Sequence, residues 1–146
     1  MLPVNQDSND YKFFQTLNED IKLLPNEYGE WDMVFENDDI VNVTGAESLA
    51  NAIVILIMTR YGELKTNPLY KTDFGCRVHE IPKDNITNLN QYKVEKYIEE
   101  SVRRMRRVKT INSIQVTPHA VGYNVVLSVT SINDTDVTLN MELKLW

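Results

Sequence analysis

At 146 residues and 42% hydrophobic, the chain has the length of one ordinary domain and enough apolar content for a single core. Its 25% charged and 9% aromatic residues argue against wholesale disorder. A net charge of −6, with pI near 4.9, argues against a general nucleic-acid or membrane-surface binder. The single cysteine, Cys76, excludes an internal disulfide or a cysteine-based zinc site.

The charge is unevenly distributed. Residues 1–47 carry 11 acidic and 2 basic side chains, whereas residues 48–146 carry 10 acidic and 13 basic. The N-terminus shows neither a basic nor an apolar leader region, so a soluble, cytoplasmically made protein is expected. The longest apolar stretch, Leu49 to Met58, is far shorter than the ~20 residues that cross a bilayer. The Asn-x-Thr sequons at Asn42, Asn85 and Asn133 read as chance matches.

Taken in chain order, residues 1–28 are polar and acidic with scattered apolar anchors such as Phe13, Phe14, Leu17 and Ile21. They read as an arm or a short amphipathic helix, leaving 29–146 as one domain. Trp31, Met33 and Phe35 alternate with polar residues, and Asn37-Asp38-Asp39 signals a turn before Ile40 to Val43; this predicts a β-hairpin. Thr44 and Glu47 form a capping-box pattern opening a helix that Gly62 would stop. The middle of that helix, Ile53 to Met58, is apolar all round, which predicts burial.

Residues 63–89 look irregular. A second helix starts near Asn88 or Asn90, with Val94, Tyr97, Ile98, Ser101, Val102 and Met105 on one stripe. Its end carries Arg103, Arg104, Arg106, Arg107 and Lys109, which complement the helix dipole. The last third alternates around Ile114 and Val116, then Tyr123 to Val129, then Val137, Leu139, Met141, Leu143 and Leu145. Three strands in a meander follow, with the last, Asp136 to Trp146, as an uncovered edge. The expected class is α+β: two main helices packed on a small antiparallel sheet, with an N-terminal hairpin and arm.

No catalytic constellation stands out. Cys76 and His79 could place a thiol beside a base, but no orienting partner accompanies them. Asp73-Phe74-Gly75 matches the kinase metal-binding triplet without the remaining kinase motifs. His79 and His119 have no metal-ligand spacing, so no metal, cofactor or catalytic residue is expected. The basic run from Arg103 to Lys109 reads either as a solvated helix end or as a docking patch for an acidic surface, including this chain's own acidic front. Nucleic acid is disfavoured because aromatic residues do not interleave it.

The order of these elements, with Thr44-Gly45-Ala46-Glu47 entering the helix, Thr59-Arg60-Tyr61-Gly62-Glu63 leaving it, then Asn67-Pro68 and Phe74-Gly75, resembles the baseplate wedge or tail-sheath initiator family of contractile phage tails. That family is often called "lysozyme-like" and has relatives in type VI secretion baseplates. The resemblance spans residues 31–146. It maps the family's Thr-x-x-Gly-Glu-Arg segment onto Thr59, Gly62 and Glu63, with Leu64 where Arg is common, and its Pro and aromatic-Gly onto Pro68 and Phe74-Gly75. A Glu-Pro-Arg signature aligns with Met105-Arg106-Arg107, so only Arg107 matches.

The resemblance implies a non-enzymatic virion subunit of the tail baseplate, present in several copies, with six expected. Its implied partners are wedge proteins, tail sheath and tube proteins, with no nucleic acid and no membrane. It implies wedge contact at Arg103, Arg104, Arg106 and Arg107, and sheath contact by β-strand addition along Val137, Leu139, Met141, Leu143 and Leu145 or along Gly122–Ile132. The alternatives are a lysozyme-like peptidoglycan hydrolase and a small anti-adaptor of related fold.

Overall fold

The computed structural model describes residues 19–25, 27–28, 30–70, 72–82, 87–120 and 122–144. These form an α+β structure with two α-helices and several small antiparallel sheets. Phe13, Phe14, Leu17, Leu145 and Trp146, named above as anchors or strand residues, lie outside the described residues.

Of the stretch read as an arm or short amphipathic helix, the described residues 19–25 form strands. Glu19–Ile21 (β1) pairs antiparallel with Asn42–Thr44 (β6), and Leu23–Pro25 (β2) pairs with Trp31–Met33 (β3). At the fork between them, Lys22 donates its amide to the Val41 carbonyl at 2.8 Å and accepts the Val34 amide at 3.3 Å. Strands of three residues carry too little alternation to be read from sequence, and their partners lie far along the chain. The expected hairpin forms at its tip, where Phe35–Glu36 (β4) pairs with Asp39–Ile40 (β5). Asn37 and Asp38 take φ of 51° and 64° between them, as a two-residue hairpin turn requires.

Helix α1 spans Gly45–Met58. Leu49, Ile53, Val54 and Ile57 enter the core, and buried Asn51 donates its side-chain amide to the Ile21 carbonyl at 2.6 Å. That bond ties β1 to the helix and satisfies the one polar group in the apolar run. Three expectations for this helix fail. Thr44 makes no side-chain cap hydrogen bond, because it belongs to β6 and Gly45, at φ +63°, turns the chain into the helix. The helix stops before Gly62, at Thr59, whose amide and hydroxyl both donate to the Ile55 carbonyl. Nor is α1 buried all round, since Ile55 and Met58 remain 38% and 41% exposed.

Helix α2, Asn88–Arg103, begins as expected, with the Thr87 hydroxyl accepting the Asn90 amide at 3.1 Å. Val94, Ile98, Ser101 and Val102 are buried, and Tyr97 and Met105 pack at the margin of the core.

The principal sheet is the meander β7 (Val108–His119), β8 (Gly122–Ser131) and β9 (Asp136–Lys144), in that spatial order. On β8, Tyr123, Val125, Leu127 and Val129 are almost wholly buried, and Val137, Leu139, Met141 and Leu143 of β9 join them beneath the helices. Because β8 is central, flanked by β7 and β9 along its whole length, neither of its sides is an edge. The expectation of a contact along Gly122–Ile132 is therefore corrected: β8's hydrogen-bonding groups face two neighbours. Gly122 is also confined, since a Cβ there would lie 1.9 Å from the Leu143 carbonyl oxygen.

The register settles which way β9 points its main chain. Ser131 donates its amide to the Thr135 carbonyl at 2.9 Å, which makes that pair a hydrogen-bonded one. Antiparallel pairs alternate, so Val137, Leu139, Met141 and Leu143 bond β8, while Thr138, Asn140 and Glu142 turn their N–H and C=O groups outward. The same alternation turns Val116 and Pro118 of β7 outward on the opposite edge. A substitution pair tests it. Asn140→Pro should fold, at a cost of about 1 kcal/mol, because it deletes an amide that bonds nothing in the sheet. Leu139→Pro should cost ~3 kcal/mol or more by deleting a ladder bond and a core side chain. Equal losses in urea unfolding would refute the register.

Candidate functional site

Two regions carry the residues singled out by sequence: the loop after α1 with the end of α2, and the outer edge of β9.

The loop from Thr59 to Cys76 is built around one carbonyl. Cys76 donates its amide to Thr59 O at 2.8 Å and Gly62 donates to Phe74 O at 3.1 Å, so the two ends of the loop lie side by side. Gly75 sits between them at φ +114°, where a Cβ would be 2.4 Å from the Arg60 carbonyl oxygen. Only glycine fits there. Its own carbonyl accepts the buried Ser101 hydroxyl at 3.0 Å and an Arg104 guanidinium N–H at 3.4 Å. Arg104 and Arg77 also stack on the Tyr61 ring, at 5.4 and 4.6 Å from its centroid. Glu63 accepts the Arg60 amide at 3.1 Å, and Tyr70 and Phe74 pack ring to ring at 5.1 Å. Thr59, Gly62, Glu63, Phe74 and Gly75 thus meet in one folded loop, with Pro68 beside its exposed tip, Leu69.

The basic run is not one uniform patch. Arg103 pairs with Glu99 and remains mostly exposed. Arg104 bonds Glu100 at 3.2 Å and lies 3.8 Å from Asp73, so its charge holds the loop to α2. Arg106 is exposed. Arg107 is half-buried, and that burial pulls its pKa down against the attraction of Asp20. Lys109 pairs with Asp134 of the β8–β9 turn at 2.7 Å.

On β9, the side chains of Val137, Leu139, Met141 and Leu143 point into the core, so their side chains are not available to a partner. What the strand offers is main chain. Among the described residues β9 pairs on one side only, in an unbroken register without proline. The opposite edge differs. Helix α2 packs along β7, and Gln91 donates its side-chain amide to the outward Val116 carbonyl at 2.7 Å. Pro118 contributes no amide, and two register shifts interrupt the strand's first half.

A groove of about 480 Å³ runs beside the open edge. Val54, Ile55 and Met58 of α1, with Thr59 after it, form one wall, Leu23 and Trp31 of β2 and β3 with Glu30 another, and Glu142 and Lys144 of β9 the third. Lys144 reaches across to the Tyr28 carbonyl at 2.9 Å. Sequence reasoning missed this groove because it joins residues from 23 to 144 and depends on the unread strands β2 and β3.

The remaining chemical candidates do not converge. Cys76 is buried, its thiol pKa raised by desolvation, and its sulfur lies against the Tyr97 carbonyl; His79 bonds the Ile57 carbonyl instead. Desolvation raises the pKa of Glu99, yet Lys96 and Arg103 outweigh it and hold it below the usual range. Among the described residues no group of three or more His, Cys, Asp or Glu could hold a metal ion.

No family model matches the chain, and no curated protein matches it. A crystal structure from Geobacter sulfurreducens, described as a "putative tail lysozyme", matches with a TM-score of 0.58 at 20% sequence identity. The match covers 79% of this chain and 97% of that one, so the two share a fold.

The loop geometry makes unequal demands on its residues. Gly75→Ala should destabilise the protein by roughly 2–4 kcal/mol through strain and overlap with Arg60. Arg104→Gln should cost about 1 kcal/mol through the lost ring contact, whereas Arg103→Gln should stay within about 0.5 kcal/mol. Chemical denaturation midpoints measure all three, and a Gly75→Ala protein as stable as the parent would contradict this loop structure.

Proposed function

We propose that this chain is a structural subunit of the baseplate of a contractile phage tail or a related injection particle. In this reading it links wedge proteins to the tube and sheath and templates the first sheath ring. The observation that carries it is the open, regular edge of β9, on a fold shared with a chain whose description places it in a tail. A sheath arm adding to β9 would bond the outward groups of Thr138, Asn140 and Glu142 through its main chain, with little dependence on sequence. Six copies, one per wedge, would present six such edges in a ring.

The wedge-facing role falls to Arg103 and Arg106 more than to Arg104, whose guanidinium is committed to Gly75, Glu100 and Tyr61. Exposed arginines suit bidentate pairing with a partner's carboxylates. Exchanging Arg103 and Arg106 for Gln should weaken incorporation into wedges several-fold while leaving the unfolding midpoint in place. Incorporation at the parental level would return both residues to the role of a solvated helix end. For the sheath, adding this protein to purified sheath subunits should nucleate ordered rings, and particles that lack it yet assemble normal sheath would overturn the proposal.

The description of the Geobacter protein favours a second reading, peptidoglycan hydrolysis. It requires two carboxylates at catalytic separation, one with a raised pKa. Glu99, whose pKa is lowered, does not supply the acid. Zymography of the pure protein decides between the readings: clearing abolished by a single carboxylate substitution would establish the hydrolase and displace the structural role.

A further inference from the structure

We infer that the groove beside β9 selects which extended segment the strand edge accepts, favouring a partner chain with bulky apolar residues at alternate positions on one face. The inference rests on the strand-addition reading above and gives the partner's chemistry.

The occupant follows from what surrounds the groove. Glu142 and Lys144, two residues apart on β9, both line it, and Glu142 shares the parity that turns main-chain N–H and C=O groups away from β8, so the groove adjoins the end of the outward row formed by Thr138, Asn140 and Glu142. Such a row is satisfied by another extended chain, because a strand presents complementary N–H and C=O groups at the same spacing and a helix does not. The other edge of the sheet is not a second such site, since α2 packs along β7 and its outward Val116 carbonyl is taken by Gln91.

The other walls carry Leu23, Trp31, Val54, Ile55 and Met58, with Glu30 and Thr59 among them. Ile55 and Met58, 38% and 41% exposed, are the residues by which α1 departs from full burial, and they face Trp31 and Leu23 across the groove. Side chains of a strand alternate between faces, so a segment paired to β9 turns every second residue toward the helix side. There it meets Ile55, Met58 and Trp31, above a floor formed by Val54. The intervening residues lie over the outer face of the sheet, beside Thr138, Asn140 and the His119–Glu142 contact at 3.2 Å. That face is polar. A segment with large apolar residues on one side and hydroxyl or charged residues on the other matches both surfaces, whereas a uniformly polar segment would gain only its main-chain bonds. A groove of about 480 Å³ has room for two such side chains, within the ~300–1,000 Å³ typical of small-molecule pockets.

The test uses the full chain and two ten-residue peptides capped with lysine at both ends, one alternating Leu with Thr and one alternating Ser with Thr. Isothermal titration calorimetry should show the Leu peptide binding at least ten-fold more tightly than the Ser peptide. The double substitution Ile55→Glu and Met58→Glu, at two partly exposed sites, should remove that preference. Asn140→Pro should abolish binding of both peptides, with circular dichroism confirming that each variant is folded. If Asn140→Pro abolishes binding but the Leu and Ser peptides bind equally, the edge accepts strands without selection and this inference fails while strand addition stands. If Asn140→Pro leaves Leu-peptide binding intact, or neither peptide binds at millimolar concentration, strand addition at β9 fails as well. A concentration-dependent dimer of the free protein that Asn140→Pro dissociates would assign the groove to a second copy and overturn the inference.

Discussion

A three-stranded antiparallel sheet has two edges, and each edge strand leaves every second residue's amide and carbonyl facing away from the sheet. In this protein the two edges are handled differently. Helix α2 packs along β7, Gln91 bonds an outward carbonyl, and Pro118 supplies no amide. Along β9, α1 covers the apolar face, and among the described residues nothing pairs with the outer row of main-chain groups. The difference traces to helix placement: α2 lies against β7, while α1 lies under β9 and turns Ile55 and Met58 outward. The groove and the one-sided pairing of β9 among the described residues are two consequences of that placement.

The charge asymmetry acquires a local meaning in the fold. Arg104 and Arg77 grip the ring of Tyr61, and Arg104 with Ser101 holds the Gly75 carbonyl, so part of the basic run locks the long loop to α2. Arg107 is half-buried within the attraction of Asp20, which brings the basic run and the acidic front together inside one molecule. Lys109 fastens the β8–β9 turn through Asp134. Arg103 and Arg106 are exposed members of the run that neither hold the loop to α2 nor fasten the β8–β9 turn.

Long periodic elements were legible in the sequence. The stripe from Val94 to Val102 and the alternation from Tyr123 to Leu143 predict α2, β8 and β9, because many side chains repeat the same burial choice. Short elements were not. β1 and β2 are three residues each, and their partners in β6 and β3 are set by tertiary packing around Lys22. The Thr44 cap followed a local rule that the pairing of Thr44 with Glu19 and the left-handed Gly45 override. For the site, Gly75 was visible as a glycine, but the crowding by Arg60 that demands it is invisible until the loop closes. The edge was visible; the groove, assembled from three distant segments, was not.

Amide hydrogen exchange, read residue by residue along β9 with and without sheath protein, tests the central claim most directly. In the free protein, the amides of Val137, Leu139, Met141 and Leu143 should be protected and those of Thr138, Asn140 and Glu142 should exchange quickly. Adding the partner should protect the second set at alternate positions while leaving the first unchanged. Protection of both sets in the free protein, or binding that leaves Thr138, Asn140 and Glu142 exchanging freely, would contradict the account.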